Sequence, residues 1–440
     1  MADTLADDEN SALREDHGTQ VPPGPGLPLA KLIFGRLLPD RYSLLSCSLF
    51  VLGVAFSALL LFAELVEGAG LRLLLANRGF TAPVTLALLA LTGGAIARRL
   101  LGRLPGCRLP ATGDLRRAAD ILARQPDAGA GLVRLGDKQV MFSDCGTAFI
   151  MYARRGRSCV ALFDPVGPAQ AWPGLIVKFI ETARKAGCRA VFYQVSAGFL
   201  PFALDTGMKC LKFGEQAIVD IENFNLQGGT WLKLRRSVNR ATRDGLEFSM
   251  LSADEIPAVL DELRHVSDLW LAMHRTAEKG FSLGRFQPEY IAAGPVAVIR
   301  MNGRIVAFAN ILVSSCEGDA YIDLMRHVPD AHRGAMDLLF VRIMERLKAE
   351  GFRTLNLGMA PLAGLAIHSR APLWNHLGNR IFLSGERYYN FQGVRAFKSK
   401  FRPRWQPRYI AVSGRGIAVL AILDIALLIG GGLKGIIRKQ

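Results

Sequence analysis

The sequence predicts a membrane-embedded helical hairpin followed by an α/β unit that occurs twice. Three observations carry this reading: two uncharged apolar runs before residue 98, a hairpin–strand–helix–strand order across residues 296–357, and the same order 164 positions earlier.

Residues 1–30 read as a disordered acidic tail. Asp3, Asp7, Asp8, Glu9, Glu15 and Asp16 stand against Arg14 alone, with too little apolar surface to bury. Residues 31–108 read as the hairpin. Tyr42 to Ala63 and Gly79 to Ala97 carry no charge over 22 and 19 positions, and each is long enough to cross roughly 30 Å of hydrocarbon as a helix. Lys31, Arg36 and Arg41 precede them and Arg98, Arg99, Arg103 and Arg108 follow, whereas the connecting loop mixes Arg72 and Arg78 with Glu64 and Glu67. The positive-inside rule then places both ends in the cytoplasm. The expected location is the inner (cytoplasmic) membrane, multi-pass, with the rest of the chain facing the cytoplasm. The late start of the first run, behind an acidic tail, argues against a cleaved signal peptide.

Residues 109–228 and 247–412 carry the repeated unit. In the second copy Val296 to Met301 and Arg304 to Val313 alternate as strands around Asn302-Gly303, a strong hairpin signal. A strand follows at Ala320 to Met325. Met336 to Glu350 places Leu339, Phe340, Ile343, Met344 and Leu347 on one helical face, Gly351 stops it, and Thr354 to Leu357 resumes a strand. In the first copy Gln139 to Ser143, Ala148 to Ala153 and Cys159 to Phe163 read as strands, Pro173 to Ala186 as a helix and Ala190 to Val195 as a strand. The offset superimposes Val177 on Val341, Glu181 on Glu345, Gly187 on Gly351 and Arg189 on Arg353, as a tandem duplication would. The order is that of the acetyltransferase-type (GNAT) fold. The predicted class is therefore α/β, with tandem GNAT-like domains behind a transmembrane hairpin.

Residues 229–246 read as a basic linker helix. Lys233, Arg236, Arg240 and Arg243 share one face with almost no compensating acid, which makes them candidates for tRNA or other phosphate. Ser252 and Glu255 suggest a capping box before a helix with an apolar stripe of Ile256, Val259, Leu260, Leu263, Val266 and Trp270. Residues 413–440 hold an apolar and basic helix that Asp424 interrupts, expected to lie at an interface or pack in a bundle rather than span.

Across 440 residues, 54 Lys and Arg against 38 Asp and Glu leave a net charge of +16, in a chain half of whose residues are hydrophobic. That combination argues against a disordered chain and against an ordinary soluble enzyme, and points to anionic partners, membrane and nucleic acid alike. Seven cysteines without a C-x-x-C pair, and seven scattered histidines, argue against zinc and against a disulfide framework. No metal is expected. A GNAT domain that uses acyl-CoA holds pyrophosphate on a loop of the type [QR]-x-x-G-x-[GA] at a helix N terminus. The corresponding turn, Ala331 to Met336, retains one glycine and lacks the first and last residues. CoA is not expected as acyl donor, and no cofactor is expected.

Several runs carry a resemblance: Glu278-Lys279-Gly280-Phe281-Ser282-Leu283-Gly284, Asp323-Leu324-Met325-Arg326, Leu357-Gly358-Met359-Ala360-Pro361-Leu362 and Phe397-Lys398-Ser399-Lys400-Phe401, with Trp405 and Pro407-Arg408-Tyr409 behind them. Over residues 110–412 the chain resembles the synthase domain of aminoacyl-phosphatidylglycerol synthases, of the multiple peptide resistance factor (lysylphosphatidylglycerol synthase) family. The resemblance implies a double-GNAT transferase that moves an aminoacyl group, lysyl or alanyl in type, from aminoacyl-tRNA to a glycerol hydroxyl of phosphatidylglycerol. It implies aminoacyl-tRNA, anionic phospholipid and the bilayer as partners, and antimicrobial peptide resistance as the associated trait. The family's multi-span flippase domain has no counterpart in these residues, so lipid flipping is not implied.

An aminoacyl ester is already activated, so the reaction needs proximity, a base and a group for the oxyanion rather than a metal. The expected catalytic residues are Asp323, Arg326 and Lys398. Asp323 serves as base or ammonium receptor, and Lys398 neutralises an oxyanion or phosphate. Three positions apart on a regular strand, Asp323 and Arg326 would face opposite sides, so a shared site demands a bulge or the strand's end. Glu278, Ser282, Tyr321, Gly358, Lys400 and Arg408 are the expected substrate-binding residues. Around them Arg387, Arg395, Arg402 and Arg404 interleave with Tyr388, Tyr389, Phe391, Phe401 and Trp405, a pattern suited to stacking on bases or lying among headgroups. Asp164, in an Asp-Pro-Val-Gly sequence, reads as a turn former. The rival readings are an acyltransferase on another lipid using acyl carrier protein, and a non-catalytic membrane-tethered RNA-binding protein.

Overall fold

The computed structural model describes residues 109–314, 318–384, 391–414 and 418–431. The acidic tail, the apolar hairpin, and Arg387, Tyr388 and Tyr389 lie outside the described residues. In chain order the elements are α1 (Thr112–Leu122), a 3₁₀ segment (Ala128–Leu135), β1 (Gln139–Phe142), β2 (Phe149–Arg155), β3 (Ser158–Val166), α2 (Trp172–Lys185), β4 (Arg189–Val195), α3 (Leu200–Asp205) and β5 (Lys209–Asp220). There follow α4 (Leu232–Arg243), β6 (Leu246–Leu251), α5 (Ile256–Met273), α6 (Pro288–Ile291), β7 (Val296–Met301), β8 (Arg304–Val313), β9 (Asp319–His327) and α7 (Ala335–Ala349). The last are β10 (Thr354–Pro361), α8 (Leu373–Ser384), α9 (Phe391–Ser399), β11 (Arg404–Val412) and α10 (Ala418–Ile429).

The local signals act as their chemistry requires. Asn302 and Gly303 both take left-handed backbone, φ 52° and 77°, the twist-matched turn for the β7–β8 hairpin. Gly187 and Gly351 close α2 and α7 at φ 66° and 87°, the same joint in both halves. The element order of a mixed α/β, GNAT-like unit thus recurs: antiparallel β1–β2–β3 then parallel β3–β4 in one half, antiparallel β7–β8–β9 then parallel β9–β10 in the other.

The halves do not form separate sheets. All eleven strands join in the order β1-β2-β3-β4-β11-β5-β10-β9-β8-β7-β6. β11 pairs antiparallel with β4 and β5, and β5 pairs antiparallel with β10. Each half therefore gives its last strand to the other.

Helices cover both faces. α2 packs over β3 and β4 around Phe179, Phe192 and Phe199, and α7 and α4 cover the second half around Leu339, Phe340 and Ile343. The opposite face is one continuous core, running from Phe149 and Leu162 through Tyr193 to Phe308 and Tyr321. The 3₁₀ segment, α5 and α10 close it.

α10 is the apolar C-terminal segment, and it packs on the sheet rather than in a bundle. Ala421, Ile425 and Leu427 are buried, against β2 and β3. Asp424, which interrupts the apolar run, is buried and accepts a hydrogen bond from Ser158 Oγ at 2.7 Å. Gly156 leaves the space that its carboxylate fills. Among the described residues no helix is long and apolar enough to cross a membrane.

Ser158→Ala removes a donor from a buried carboxylate and is expected to cost about 1–3 kcal/mol in urea unfolding. Leu423→Ala, on the exposed side of the same helix, is expected to stay within about 0.5 kcal/mol.

Candidate active site

Two β-bulges shape the site. Between β8 and β9, Ala309 faces Met325 but Ile311 faces Ile322, so Asp323 and Leu324 together oppose Asn310. The Leu324 amide, displaced from the ladder, donates to Asn310 Oδ1 at 2.8 Å. The extra residue brings Asp323 onto the face that also carries Tyr321 and Arg326. Between β5 and β10, Asn356 faces Ile218 and Met359 faces Gln216; the extra residue in β10 includes Gly358, at φ 79°. Parallel pairing between β9 and β10 ends at Tyr321 and Asn356, and the strands separate beyond.

Lys398 reaches that opening from α9. Its side chain is buried, and Nζ donates to Met359 O at 2.9 Å. A Cβ at Gly358 would stand 3.5 Å from Tyr321 Oη and 3.6 Å from Lys398 Nζ, so both polar atoms border the bare Cα. Burial, with no carboxylate to offset it, pulls the Lys398 pKa down to about 7. Burial also raises the Tyr321 pKa, so the phenol keeps its proton.

Asp323 is half-buried and held at both oxygens. Gly284 N donates to Oδ1 at 2.8 Å and Tyr290 Oη to Oδ2 at 2.7 Å. A side chain at 284 would overlap the carboxylate, which is why the loop carries glycine there. Desolvation raises the Asp323 pKa, opposed by the Tyr290 and Gly284 bonds and by Lys138 and Arg326. Lys138 comes from the first half, is 1 % exposed, and pairs with Asp137 at 2.5 Å. Asp137 in turn accepts from Phe281 N at 3.3 Å.

Arg326 differs from the expectation for it. Its guanidinium grips Glu278 with two bonds, 2.8 and 2.7 Å, donates to Ser267 Oγ, and stacks 5.4 Å from the Trp270 ring centre. It is a clamp on the 278–286 loop, not a cation open to substrate, and Glu278 is its partner rather than a free carboxylate. Glu278 also accepts from Phe286 N at 3.2 Å. Ser282 is buried within the same loop. Lys400 lies apart from this site: it pairs at 2.8 Å with Asp337, near the start of α7, which also accepts from Ser237 Oγ.

Arg408 lies on β11, which β5 separates from β10. It acts electrostatically on Tyr321, Asp127 and Asp164. Asp164 is not a simple turn residue: its carboxylate is out of water and accepts from Ser196 N at 2.9 Å. Asp127, on the 3₁₀ segment beside Tyr321, caps Gly129 N at 3.0 Å. Desolvation raises both carboxyl pKa values. Sequence patterning gave no signal for Lys138, Tyr290 or Asp127, which meet the site only through the fold.

The basic face of α4 forms a separate surface. Lys233, Arg236 and Arg240 line a groove of ≈ 640 Å³ with His332, Arg333 and Gly334 at the start of α7. Arg243 lines its neighbour with Asn239 and Arg342.

Residues 119–412 match the family described as phosphatidylglycerol lysyltransferase, C-terminal. A phosphatidylglycerol lysyltransferase of Bacillus subtilis (strain 168) is 36% identical over 322 residues, 72% of this chain and 37% of that protein. One from Staphylococcus aureus (strain MSSA476) is 32% identical over 280 residues, 63% of this chain and 33% of that protein. The chain thus spans about a third of the length of these curated relatives. Among solved structures, a C-terminal domain named for lysylphosphatidylglycerol synthetase, from Agrobacterium fabrum, is 50% identical with a TM-score of 0.67 and covers 74% of this chain and 99% of that one. The structure of L-PGS from Bacillus licheniformis is 35% identical, TM-score 0.64, with the same coverage.

A lysine whose folded pKa lies below its unfolded value binds fewer protons folded than unfolded, so its burial penalty is full below pH 7 and fades as pH rises toward 10.5. Lys398→Met is expected to be more stable than the parent at pH 7. The difference is expected to shrink by pH 9.5, read from urea midpoints at both values.

Proposed function

The chain belongs to the phosphatidylglycerol lysyltransferase C-terminal family, and from that membership we propose that it moves an aminoacyl group, lysyl or alanyl in type, from aminoacyl-tRNA to a glycerol hydroxyl of phosphatidylglycerol. The observation that supports this most directly is the desolvated Lys398 amine at the β9–β10 opening, beside the Tyr321 phenol and on the side of Asp323.

In this reading the donor's α-ammonium binds the Asp323 carboxylate, which two donors already orient and which gains from a cation because burial strips part of its hydration. The lipid hydroxyl reaches the ester carbonyl across Gly358, where no side chain intervenes. Lys398, neutral at a pH near or above 7, takes the hydroxyl proton as it attacks. The new ammonium and the Tyr321 phenol then face the oxyanion. Collapse expels the 3′-terminal ribose oxygen of the tRNA, which recovers the proton from Lys398. Arg326, through Glu278, and Lys138, through Asp137, position the loop and carboxylate without touching the reacting atoms.

The α4 groove, with Arg333 at the α7 N terminus, is proposed to hold tRNA phosphates, which the +16 charge favours. Tyr42 to Ala63 and Gly79 to Ala97 are proposed to anchor the chain in the cytoplasmic membrane, next to its acceptor.

The test is transfer of label from lysyl- or alanyl-tRNA to phosphatidylglycerol vesicles by the full chain in membranes. Aminoacylated lipid that RNase pretreatment abolishes is expected; label taken from an acyl-CoA or acyl carrier protein instead would sink the proposal. Lys398→Met is expected to lower kcat about 10²–10⁴-fold while tRNA binding persists, an outcome that a non-catalytic tether cannot give. Parent activity is expected to rise with pH through about 7, as the amine loses its proton. Asp323→Asn is expected to raise KM for the donor more than it lowers kcat.

A further inference from the structure

Cys159 and Cys188 lie outside the transfer site, at the paired end of the β3–β4 parallel ladder, whereas these strands separate beyond Leu162 and Tyr193. Arg154 on β2 stands directly across from Cys159 in the antiparallel ladder. Cys159 stands opposite Ala190, two residues after Cys188, and both cysteines join the same core cluster on one face of the sheet. Arg154 and Cys159 are therefore cross-strand partners, with Cys188 diagonal to Cys159 just before β4. The Arg154 guanidinium donates to Ala186 O at 3.3 Å, and the Cys188 thiol to the same carbonyl at 3.5 Å. Neither sulfur is in a disulfide, and Cys188 is 9% exposed, at the edge of the core.

We propose that Cys159 and Cys188 form a peroxide-sensitive thiol pair that closes to a reversible disulfide. Hydrogen peroxide is the oxidant. The Cys188 thiolate attacks one peroxide oxygen, the O–O bond breaks, and the departing hydroxide takes a proton to become water. Cys159 then attacks the sulfur of the resulting sulfenic acid; the S–S bond forms, the S–O bond breaks, and the oxygen leaves as water with the Cys159 proton. Two thiols and one peroxide yield one disulfide and two waters. The local charge favours the first step: a hydrogen bond with the Cys159 thiol, aided by Arg154 and Arg157, brings the Cys188 pKa down to about 6. That hydrogen bond already holds the two sulfurs in contact, the approach a disulfide requires.

The full chain is treated with hydrogen peroxide, digested without reductant and read by mass spectrometry. A Cys159–Cys188 cross-linked peptide, two hydrogens lighter than the sum of its parts and restored by dithiothreitol, is expected. Cys159→Ala is expected to leave Cys188 as a sulfenic acid that dimedone traps. Cys145→Ser, which removes the exposed thiol of the β1–β2 turn, is expected to keep the cross-link. Arg154→Met is expected to slow closure several-fold at pH 7 and little at pH 9. Recovery of both residues as free thiols under oxidant that modifies Cys145 would overturn the proposal, as would linkage only between chains through Cys145.

Discussion

β11 lies between β4 and β5 and is hydrogen-bonded to both, while β5 completes the ladder of β10. The inner edge of each half is closed by a strand that the other half supplies, and an unpaired edge would be costly or sticky. With one sheet comes one continuous core on the site side. That is how Asp137, Lys138 and Asp127, all from the first half, come to stand around Tyr321 and Asp323 of the second. If each half had kept its own last strand, Lys138 would face no Asp323, and the 278–286 loop would lose the anchor that Asp137 gives it.

Charge is handled in two opposite ways within a short distance. Arg326 is buried, and its bidentate counter-ion Glu278 stays partly exposed. That pairing offsets the desolvation of the guanidinium. Lys398 is equally buried but, among the described residues, meets only a carbonyl oxygen. A neutral acceptor cannot compensate an ammonium to the same degree, so the amine sheds its proton near neutral pH instead. The contrast sorts the two cations that motif reasoning had grouped together. The paired one stiffens a loop, and the other is the one to which the proposed chemistry falls.

Local signals made much of this legible. The β7–β8 hairpin starts and stops where Asn302-Gly303 and the apolar alternation place it, because a two-residue turn leaves little choice of register. The spacing of Asp323 and Arg326 demanded a bulge if both were to share a face, and the ladder contains one. β5 and β11 were not legible. Each is specified by a partner more than 100 residues away, and Pro407 inside β11 argues against a central strand by composition alone. Pro407 sits beside the register shift at Arg408 and Tyr409, where a missing amide costs the ladder least. Arg326, Glu278 and Lys400 show the limit of motif transfer. The motifs single out these residues, but burial and partners, which decide whether a charge is available, are not written in a short run of sequence.

The turn from Ala331 to Met336 looked like a worn phosphate loop because it keeps a single glycine. The packing gives that glycine another task. A Cβ at Gly334 would come within 2.9 Å of Ser237 O and 3.0 Å of the Ala241 Cβ, so its absence lets α4 lie directly on the start of α7. That close approach carries Lys233, Arg236 and Arg240 into the groove beside Arg333. Where a nucleotide cofactor would need a ring of backbone amides, this surface offers long, mobile cations spread along a helix. Amides in a tight loop read one pyrophosphate; a row of side chains suits a polyanion whose phosphates repeat. The single glycine and the basic helix therefore belong together under the proposed function, as a surface fitted to a large polyanionic carrier rather than a small one.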